Sequence, residues 1–321
     1  MDCQRRWMFK MNKAIALKIA KACISLFLIF YILQGIDVAK LLLTIKSADV
    51  YLLIIAFLSN GINIIFRIYK WQIILIVQKI YVPFKILLIF SFTSAFFSIF
   101  LPTAYGGDII RAYDVSKFSN KRLESVTSIL VDRGSGALAL FLITAFALLF
   151  GHNLIQDIRI ISFIIGVLLL ILIFTIIIFI ENKIIIKIIT SNKIIKNIYN
   201  TFNIYRYHKR KSIEILILSL LAQVIAILYY PLIAYSFGLD VPLVYFLIVI
   251  PIILVILMLP ISIGGIGVRE GAFIFFFKKV GVPPYEAVSI ALVAFGLYLI
   301  WGLIGGVVYA MRNPQKMSHK K

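Results

Sequence analysis

Cysteine, histidine and acidic residues are all scarce in this chain. Its 321 residues include 2 cysteines, 3 histidines and 13 acidic residues, against 33 lysines and arginines. Cys3 and Cys23 form neither a CxxC pair nor a disulfide framework, so the sequence does not indicate redox chemistry. His152, His208 and His319 have no HExxH or other paired spacing. We therefore predict no metal site and no cofactor.

Recognisable catalytic motifs are missing as well. The sequence contains no Walker motif and no GxSxG elbow, which argues against ATP-driven transport by this chain alone. We expect a protein that is not an enzyme. The net charge of +20 raises the question of nucleic-acid binding. Basic residues that flank apolar stretches are first a sign of membrane topology, however, so we expect no nucleic-acid partner.

Apolar residues dominate what is present. They make up 62% of the chain, and the mean hydropathy is +1.05. A membrane span needs roughly 20 mostly apolar residues. Six stretches are predicted to cross the membrane, namely 22–35, 50–66, 125–150, 159–180, 213–237 and 285–310. The predicted fold is therefore all-α, a polytopic transmembrane helical bundle that forms a single integral membrane domain over residues 1–321.

Lysine and arginine are distributed unequally between the loops. If the N-terminus is cytoplasmic, 27 of them lie on or near the cytoplasmic side, 5 lie outside and Arg269 stays unassigned. This assignment places Arg67 and Lys70 in a loop after the second span. Basic residues favour the cytoplasmic side of membrane proteins. We therefore predict a multi-pass protein of the cell membrane with both termini in the cytoplasm.

One motif occurs twice in the chain. The pattern LPxxxGGxxxR covers residues 101–111 and, 158 positions later, residues 259–269. The whole chain has only 9 prolines and 18 glycines, so chance repetition in an apolar sequence explains the match poorly. The repeat predicts two copies of one structural unit.

Each copy of the motif ends a further apolar stretch, 84–101 in the first half and 242–259 in the second. Proline removes a helix hydrogen bond and paired glycines relax the backbone, so we expect Pro102 and Pro260 to break their helices. Helices are predicted to restart after the glycines, over 108–116 and 267–279. Each stretch with its motif is predicted to be a re-entrant hairpin.

The order of the spans makes the two predicted hairpins enter from opposite sides of the membrane. This is an inverted-topology repeat, with halves at about 14–150 and 159–310. If all hairpin arms cross fully instead, the chain crosses ten times and the termini stay inside. The basic connector at 181–212 is either an amphipathic helix on an anionic leaflet or a plain cytoplasmic loop.

A restarted helix presents free backbone N–H groups, and here each one also carries an arginine one turn along. Together they suit a phosphate or carboxylate group. The opposing interpretation is that the glycines only permit close packing and the arginines extend to an interface. We favour a substrate-binding role, with the candidate residues Gly106, Gly107, Asp108, Arg111, Asp132, Arg133, Ser262, Gly264, Gly265, Arg269 and Glu270.

The acidic candidates each have more than one interpretation. Asp108 either caps a helix, which we favour, or balances Arg111 three residues on. Glu270 pairs with another arginine, exchanges a proton or neutralises local charge. Asp132 and Arg133 either reach the first hairpin or form a pair at the membrane interface.

Four segments carry a family resemblance: LPTAYGGDIIRA at 101–112, VDRGSG at 131–136, LPISIGGIGVREG at 259–271 and GVPPYEA at 281–287. They resemble the lysylphosphatidylglycerol synthase transmembrane region, also called flippase-like or uncharacterised protein family 0104. The resemblance implies a domain that, in bifunctional members, moves aminoacylated phosphatidylglycerol between leaflets. A separate soluble domain attaches the amino acid there. No such domain is recognisable in this sequence, so we expect no lysyltransferase activity.

The leading hypothesis is a lipid translocase that holds an anionic headgroup between its two hairpins. The resemblance implies an anionic phospholipid or a polyprenyl-phosphate-linked lipid as its partner. The alternative is a membrane enzyme, or a subunit working with a lipid-modifying transferase, that acts through Asp108, Asp132 or Glu270. A third hypothesis is a structural scaffold. Because Ile266 stands where Asp108 stands in the first copy, the site is expected to be only approximately symmetric.

Overall fold

The computed structural model describes residues 27, 30–32, 34–100, 106–151, 204–205, 207–258, 262 and 264–312. The regular structure within these residues is helical, which confirms an all-α chain. In chain order the helices are α1 (Val38–Lys46), α2 (Val50–Val77), α3 (Phe84–Phe100), α4 (Gly106–Ser119), α5 (Arg122–Gly151), α6 (Lys209–Ser236), α7 (Leu243–Met258), α8 (Val268–Phe277) and α9 (Pro284–Met311). A short 3-10 turn, Lys278–Val280, follows α8.

Four of these helices, α2, α5, α6 and α9, are long and apolar enough to cross a membrane. They coincide with four of the six predicted spans. The predicted span at 159–180, most of the span at 22–35 and most of the connector at 181–212 lie outside the described residues. Pro102 and Pro260 lie outside them too.

Helix α2 is longer than the sequence predicted. It runs to Val77 instead of ending near Phe66, so Arg67 and Lys70 lie within the helix and not in a loop. Helix formation continues because a mostly apolar segment, Trp71–Val77, follows the two charges, and five of its seven residues are buried. The prediction that these two residues lie in a loop was therefore wrong, and their assignment to the cytoplasmic side stays a prediction.

Helices α2 and α6 pack extensively against each other and run antiparallel. Each has 28 residues. Hydrogen bonds join Asp49, just before α2, to Ser236 at the end of α6, Asn63 to Ala222 in the middle of the two helices, and Gln78, just after α2, to Tyr205, which precedes α6. This order of contacts shows that the two helices run in opposite directions. This pair forms the central contact between the first and second halves of the chain.

Helices α3 and α4 form an antiparallel pair whose two ends meet. A side chain at Gly107, where α4 begins, would collide with Ser94 and Ser98 near the end of α3. After α4, Lys121 Nζ donates to the carbonyl oxygen of Lys79, just before α3, at 3.0 Å. The chain therefore enters and leaves this pair on one side of the bundle. The predicted helix at 108–116 is confirmed, but it begins at Gly106 and therefore includes the glycine pair instead of following it.

Helices α7 and α8 repeat this arrangement in the second half. The Tyr245 hydroxyl, near the start of α7, donates to the carbonyl oxygen of Phe276 at the end of α8. The rings of Phe246 and Phe277 lie 5.3 Å apart. A helix restarts after the second glycine pair as predicted, here at Val268. At 17 and 16 residues, α3 and α7 are shorter than the roughly 20 residues of a full span.

The first helix of each pair packs against the last long helix of the other half of the chain. Helix α3 packs against α9, and α7 packs against α5. Close contact between α3 and α9 depends on glycines. A Cβ atom at Gly305 would lie 2.1 Å from the carbonyl oxygen of Phe92, and one at Gly302 would lie 2.0 Å from Ile99 Cδ1. The two halves are therefore interlocked, and residues of both surround one interior space.

Candidate functional site

A cavity of about 360 Å³ lies between the two halves. Its charged lining residues are Arg67, Asp108, Arg111, Arg133 and Arg269. Its neutral polar lining residues are Asn60, Asn63, Ser91, Ser94, Ser98, Tyr229, Tyr230 and Tyr298. The arginines of both motif copies thus face the same space, together with two arginines from outside the motif.

Five side chains behind and along this cavity form a continuous ion-pair chain, Lys70, Asp132, Arg111, Asp108 and Arg133. Lys70 Nζ lies 2.8 Å from Asp132, and Arg111 Nη2 lies 3.0 Å from Asp132 and 2.6 Å from Asp108. Arg133 Nη2 lies 2.6 Å from the other oxygen of Asp108. Among the described residues, three cations share these two carboxylates, so the ion-pair chain keeps one positive charge.

Aromatic stacking holds Arg111 in place within the ion-pair chain. Its guanidinium lies over the Trp71 ring at 4.8 Å. The indole N–H of Trp71 donates to Ser128 Oγ at 3.2 Å. Arg111 is 4% exposed. A guanidinium that is stacked on one side and paired with two carboxylates has little freedom to move, so Arg111 is a fixed part of the cavity wall.

Arg269 has quite different surroundings from Arg111. Its guanidinium lies over the Phe295 ring at 4.3 Å, and its Nη2 donates to the carbonyl oxygen of Gly264 at 2.9 Å. Its Nη1 is buried with no hydrogen-bond partner among the described residues. The same residues supply no carboxylate within ion-pair distance of it. Arg269 is therefore a cation that its described neighbours leave uncompensated.

Arg67 is a second such cation. It lies in α2, lines the cavity and has an exposed side chain. No hydrogen bond or ion pair joins it to another residue in the described part of the chain. Asn60, Asn63, Arg67 and Lys70 follow one another at spacings of three and four, which places them on one face of a helix. That spacing was the signal in the sequence that would have identified Arg67 and Lys70 as site residues.

The structure places two of the acidic candidates in the ion-pair chain and the third at the start of α8. Asp108 makes ion pairs with Arg111 and Arg133, which is the alternative to the helix cap that we favoured. Asp132 and Arg133 reach the first helical pair, as one of their two interpretations required. The Glu270 carboxylate accepts from the N–H of Gly267 at 2.6 Å, at the start of α8, and contacts no arginine among the described residues.

The motif glycines and Ser262 do not line this cavity. Gly106 and Gly107 are buried, and Gly107 allows α4 to lie against α3. Gly264 and Gly265 have φ angles of 61° and 78°, a region that glycine adopts without strain. Ser262 is buried and its Oγ has no described partner. The glycines thus serve packing and turning in the structure, and their predicted role in substrate binding stays a prediction.

The two halves contribute unequally to the cavity. Counted from the first residues of α5 and α9, Asp132 and Arg133 occupy the same positions as Ala294 and Phe295. Counted in the same way along α2 and α6, Arg67 corresponds to Ala226. The first half therefore supplies most of the charge, and the second supplies Arg269 among aromatic and small side chains.

The sequence of this chain matches the model of a known protein family. A family model described as lysylphosphatidylglycerol synthase TM region matches residues 16–306, which is 291 of the 321 residues. The matched stretch includes both motif copies and every charged residue of the cavity. A search of curated proteins found no match.

Proposed function

This chain belongs to the family of lysylphosphatidylglycerol synthase transmembrane regions, and from that premise we propose that it is a lipid translocase. The family and the spanning helices mark a membrane protein linked to lipid metabolism. In the proposed activity, the cavity holds the anionic headgroup of a phospholipid or lipid-linked intermediate while it passes between leaflets. The hydrocarbon tails stay in the bilayer.

The observation that carries the proposal is the balance of charge in the cavity, where four arginines face one carboxylate. Guanidinium groups bind phosphate through paired hydrogen bonds. Ionisable residues within a membrane domain are costly and commonly mark a ligand path. The volume, about 360 Å³, falls in the range of small-molecule sites, about 300–1,000 Å³.

We further propose that α3–α4 and α7–α8 are re-entrant hairpins related by an inverted repeat. In support, α2 and α6 have equal length and run antiparallel, and each helical pair returns to the side on which it began. Basic residues near the ends of α2, α4 and α9 and the starts of α3, α5 and α6 are Lys79, Lys85, Lys117, Lys121, Arg122, Lys209, Arg210, Lys211 and Arg312. Those at the other side are Lys40, Lys46, Lys278 and Lys279. The richer side is proposed to be cytoplasmic, with both termini.

An inverted repeat supplies a mechanism for translocation. Rocking of one half against the other opens a central site to each side of the membrane in turn. The cavity also has an apolar portion, which includes Ile64, Leu254 and Leu257. In the proposed cycle the arginines hold the headgroup and the apolar side chains contact the first part of the tails.

The alternative, a lipid-modifying enzyme or the subunit of one, needs a carboxylate that is free to act as a base. Asp108 and Asp132 each contact two cations, and Glu270 accepts a backbone hydrogen bond. These contacts favour translocation over proton transfer. Product formation by the purified protein would reverse that preference.

The proposal is tested in proteoliposomes that contain fluorescent phosphatidylglycerol. The wild type is expected to move the lipid between leaflets, and replacing both Arg67 and Arg269 by glutamine is expected to slow it about tenfold or more, since hydrogen bonds to charged groups contribute about 1.5–3 kcal/mol. Arg122→Gln is the matched control, because Arg122 is exposed at the start of α5. Equal rates for the double variant and the control would contradict the proposal.

A further inference from the structure

We infer that the cavity selects a lipid whose headgroup ends in a phosphate monoester or a diphosphate. The inference rests on the proposed function, because it takes the cavity as the headgroup site. It names the charge class of the substrate, which neither the family nor the motif specifies.

The cavity and its ion-pair partners carry an excess of positive charge. The ion-pair chain contains Lys70, Arg111 and Arg133 against two carboxylates, and so retains one positive charge. Arg67 and Arg269 each add one more, because neither has a carboxylate within ion-pair distance among the described residues. Glu270 does not line the cavity, and its carboxylate accepts from the N–H of Gly267 and forms no ion pair with Arg269. The described groups that line the cavity and their ion-pair partners therefore carry an excess of three positive charges.

Headgroups differ in how much negative charge they bring to this excess of three positive charges. A phosphodiester such as phosphatidylglycerol brings one negative charge and leaves most of the excess in place. A phosphate monoester carries about 1.5–2 negative charges at neutral pH, and a diphosphate carries more. Charge that stays unpaired away from water is costly, and the ion-pair chain beside the cavity is buried at Arg111 and Asp132. The more highly charged headgroups therefore gain the most from binding here.

The same comparison disfavours an aminoacylated headgroup. Lysylphosphatidylglycerol has one phosphodiester and two ammonium groups, so its net charge is positive. Placing it beside Arg67, Arg269 and the ion-pair chain increases the excess charge of the cavity. The headgroup that gives the family its name is therefore a poor match for this particular cavity.

The cavity also has hydrogen-bond donors that lack a partner among the described residues. Arg269 Nη1 and the Ser91 hydroxyl are buried without a hydrogen-bond partner among the described residues, and Ser91 lines the cavity. Arg67 has five N–H donors and no described acceptor. Three terminal oxygens are available in a phosphate monoester, and a diester offers only two. The donors of Arg67, Ser91 and Arg269 that lack a described acceptor therefore suit a terminal phosphate, because it offers more acceptor oxygens than a diester.

The test is a binding comparison in neutral detergent, read by native mass spectrometry of the full chain. Dioleoyl phosphatidic acid and dioleoyl phosphatidylmethanol have the same tails and differ by one methyl ester and its charge. Phosphatidic acid is expected to bind about tenfold more tightly, since a charge-assisted hydrogen bond contributes that much or more. Dioleoyl lysylphosphatidylglycerol is expected to bind most weakly. Equal occupancy by the first two lipids would overturn the inference.

Variants locate the preference in the cavity. Arg67→Gln and Arg269→Gln are each expected to reduce the ratio of monoester to diester binding at least threefold, and Arg67→Lys is expected to retain it because the charge remains. Arg122→Gln is the control. Since the ratio is measured within one preparation, a loss of folded protein does not alter it. An unchanged ratio in both glutamine variants would refute the assignment.

Two further arms separate this inference from the proposed function. Inorganic phosphate is titrated alone, and binding as tight as that of phosphatidic acid would show that the ligand is a free anion and not a lipid. Dioleoyl phosphatidic acid and dioleoyl phosphatidylmethanol are also tested for translocation in vesicles. If both move at the same rate, the translocase stands and the selectivity is wrong. If neither moves but phosphatidic acid still binds preferentially, the selectivity stands and the translocase is wrong.

Discussion

Asp132 is the residue on which the ion-pair chain depends most. It is 4% exposed and lies between Lys70 and Arg111, at 2.8 Å and 3.0 Å from their nitrogen atoms. It lies in the middle of α5 and reaches residues of α2 and α4. Its loss would leave Lys70 with no carboxylate among the described residues.

Asp132→Asn is therefore expected to destabilise the protein by about 3–5 kcal/mol, the usual cost of breaking a buried pair. Thermal unfolding in one detergent measures the change. Asp49→Asn is the control, because Asp49 is an exposed helix cap and asparagine caps equally well. Adding Lys70→Met to Asp132→Asn should restore part of the stability. Similar unfolding temperatures for the two single variants would show that the pair is not structural.

Arg269 and Glu270 are neighbours in the sequence with separate roles in the structure. Glu270→Ala is expected to cost about 1 kcal/mol through loss of its bond to the start of α8 and to leave translocation intact. Glu270→Gln keeps an oxygen acceptor and should be nearly neutral. Arg269→Gln should slow translocation while lowering stability less than Glu270→Ala does, because it removes an uncompensated cation. Slower translocation by Glu270→Ala together with unchanged translocation by Arg269→Gln would refute these roles.

Sequence reasoning at this scale identified the residues that the motif marks and missed those that only the fold brings together. Arg111 and Arg269 stand out because they are duplicated. Arg67 and Lys70 were counted as loop charges, because a charge after an apolar stretch normally ends a span. Here it does not, since Asp132, 62 residues away from Lys70, neutralises that lysine within the bundle. Such distant pairing is invisible in a single sequence.

At the scale of elements, α9 shows which contacts fix the helical pairs. A Cβ atom at Gly305 would lie 2.1 Å from a backbone oxygen of α3, whereas one at Gly296, in the same helix, would have no atom within 4 Å. Gly305→Ala must therefore separate the two helices. Gly296→Ala only exchanges glycine for a better helix former.

We expect Gly305→Ala to destabilise the protein by about 1–3 kcal/mol, the range for overpacking. Gly296→Ala should be neutral or should stabilise it by up to about 1 kcal/mol. Thermal unfolding of the two variants side by side measures the difference. Equal unfolding temperatures would mean that α3 and α9 do not pack as closely as described.

Most helices were predictable from composition, and their partners were not. Apolar length identified α2, α5, α6 and α9, and the proline and glycine pattern identified α4 and α8. Which helix packs on which depends on shape. The contact of α3 with α9 uses Gly302, Gly305 and Gly306, and no periodic signal in the sequence distinguishes these from glycines that face open space, such as Gly296.

At the scale of the whole molecule, the proposed inverted repeat is tested by cysteine accessibility. With Cys3 and Cys23 replaced by serine, a cysteine at Asn120, which is exposed between α4 and α5, should react only from the cytoplasmic side. One at Asp240, exposed between α6 and α7, should react only from outside. A membrane-impermeant maleimide applied to intact cells and to inverted vesicles distinguishes the two. Labelling of both from one side would refute the repeat.

The inequality of the two halves has a consequence for how the protein works over time. A pair of identical halves would hold a ligand equally well in two orientations and would treat both leaflets alike. In this chain, the positions of α9 that correspond to Asp132 and Arg133 of α5 hold Ala294 and Phe295. In the proposed rocking cycle, the two alternate forms therefore bring different walls against the headgroup and differ in free energy. The proposal thus includes one preferred resting conformation, which a symmetric pair of identical halves would lack.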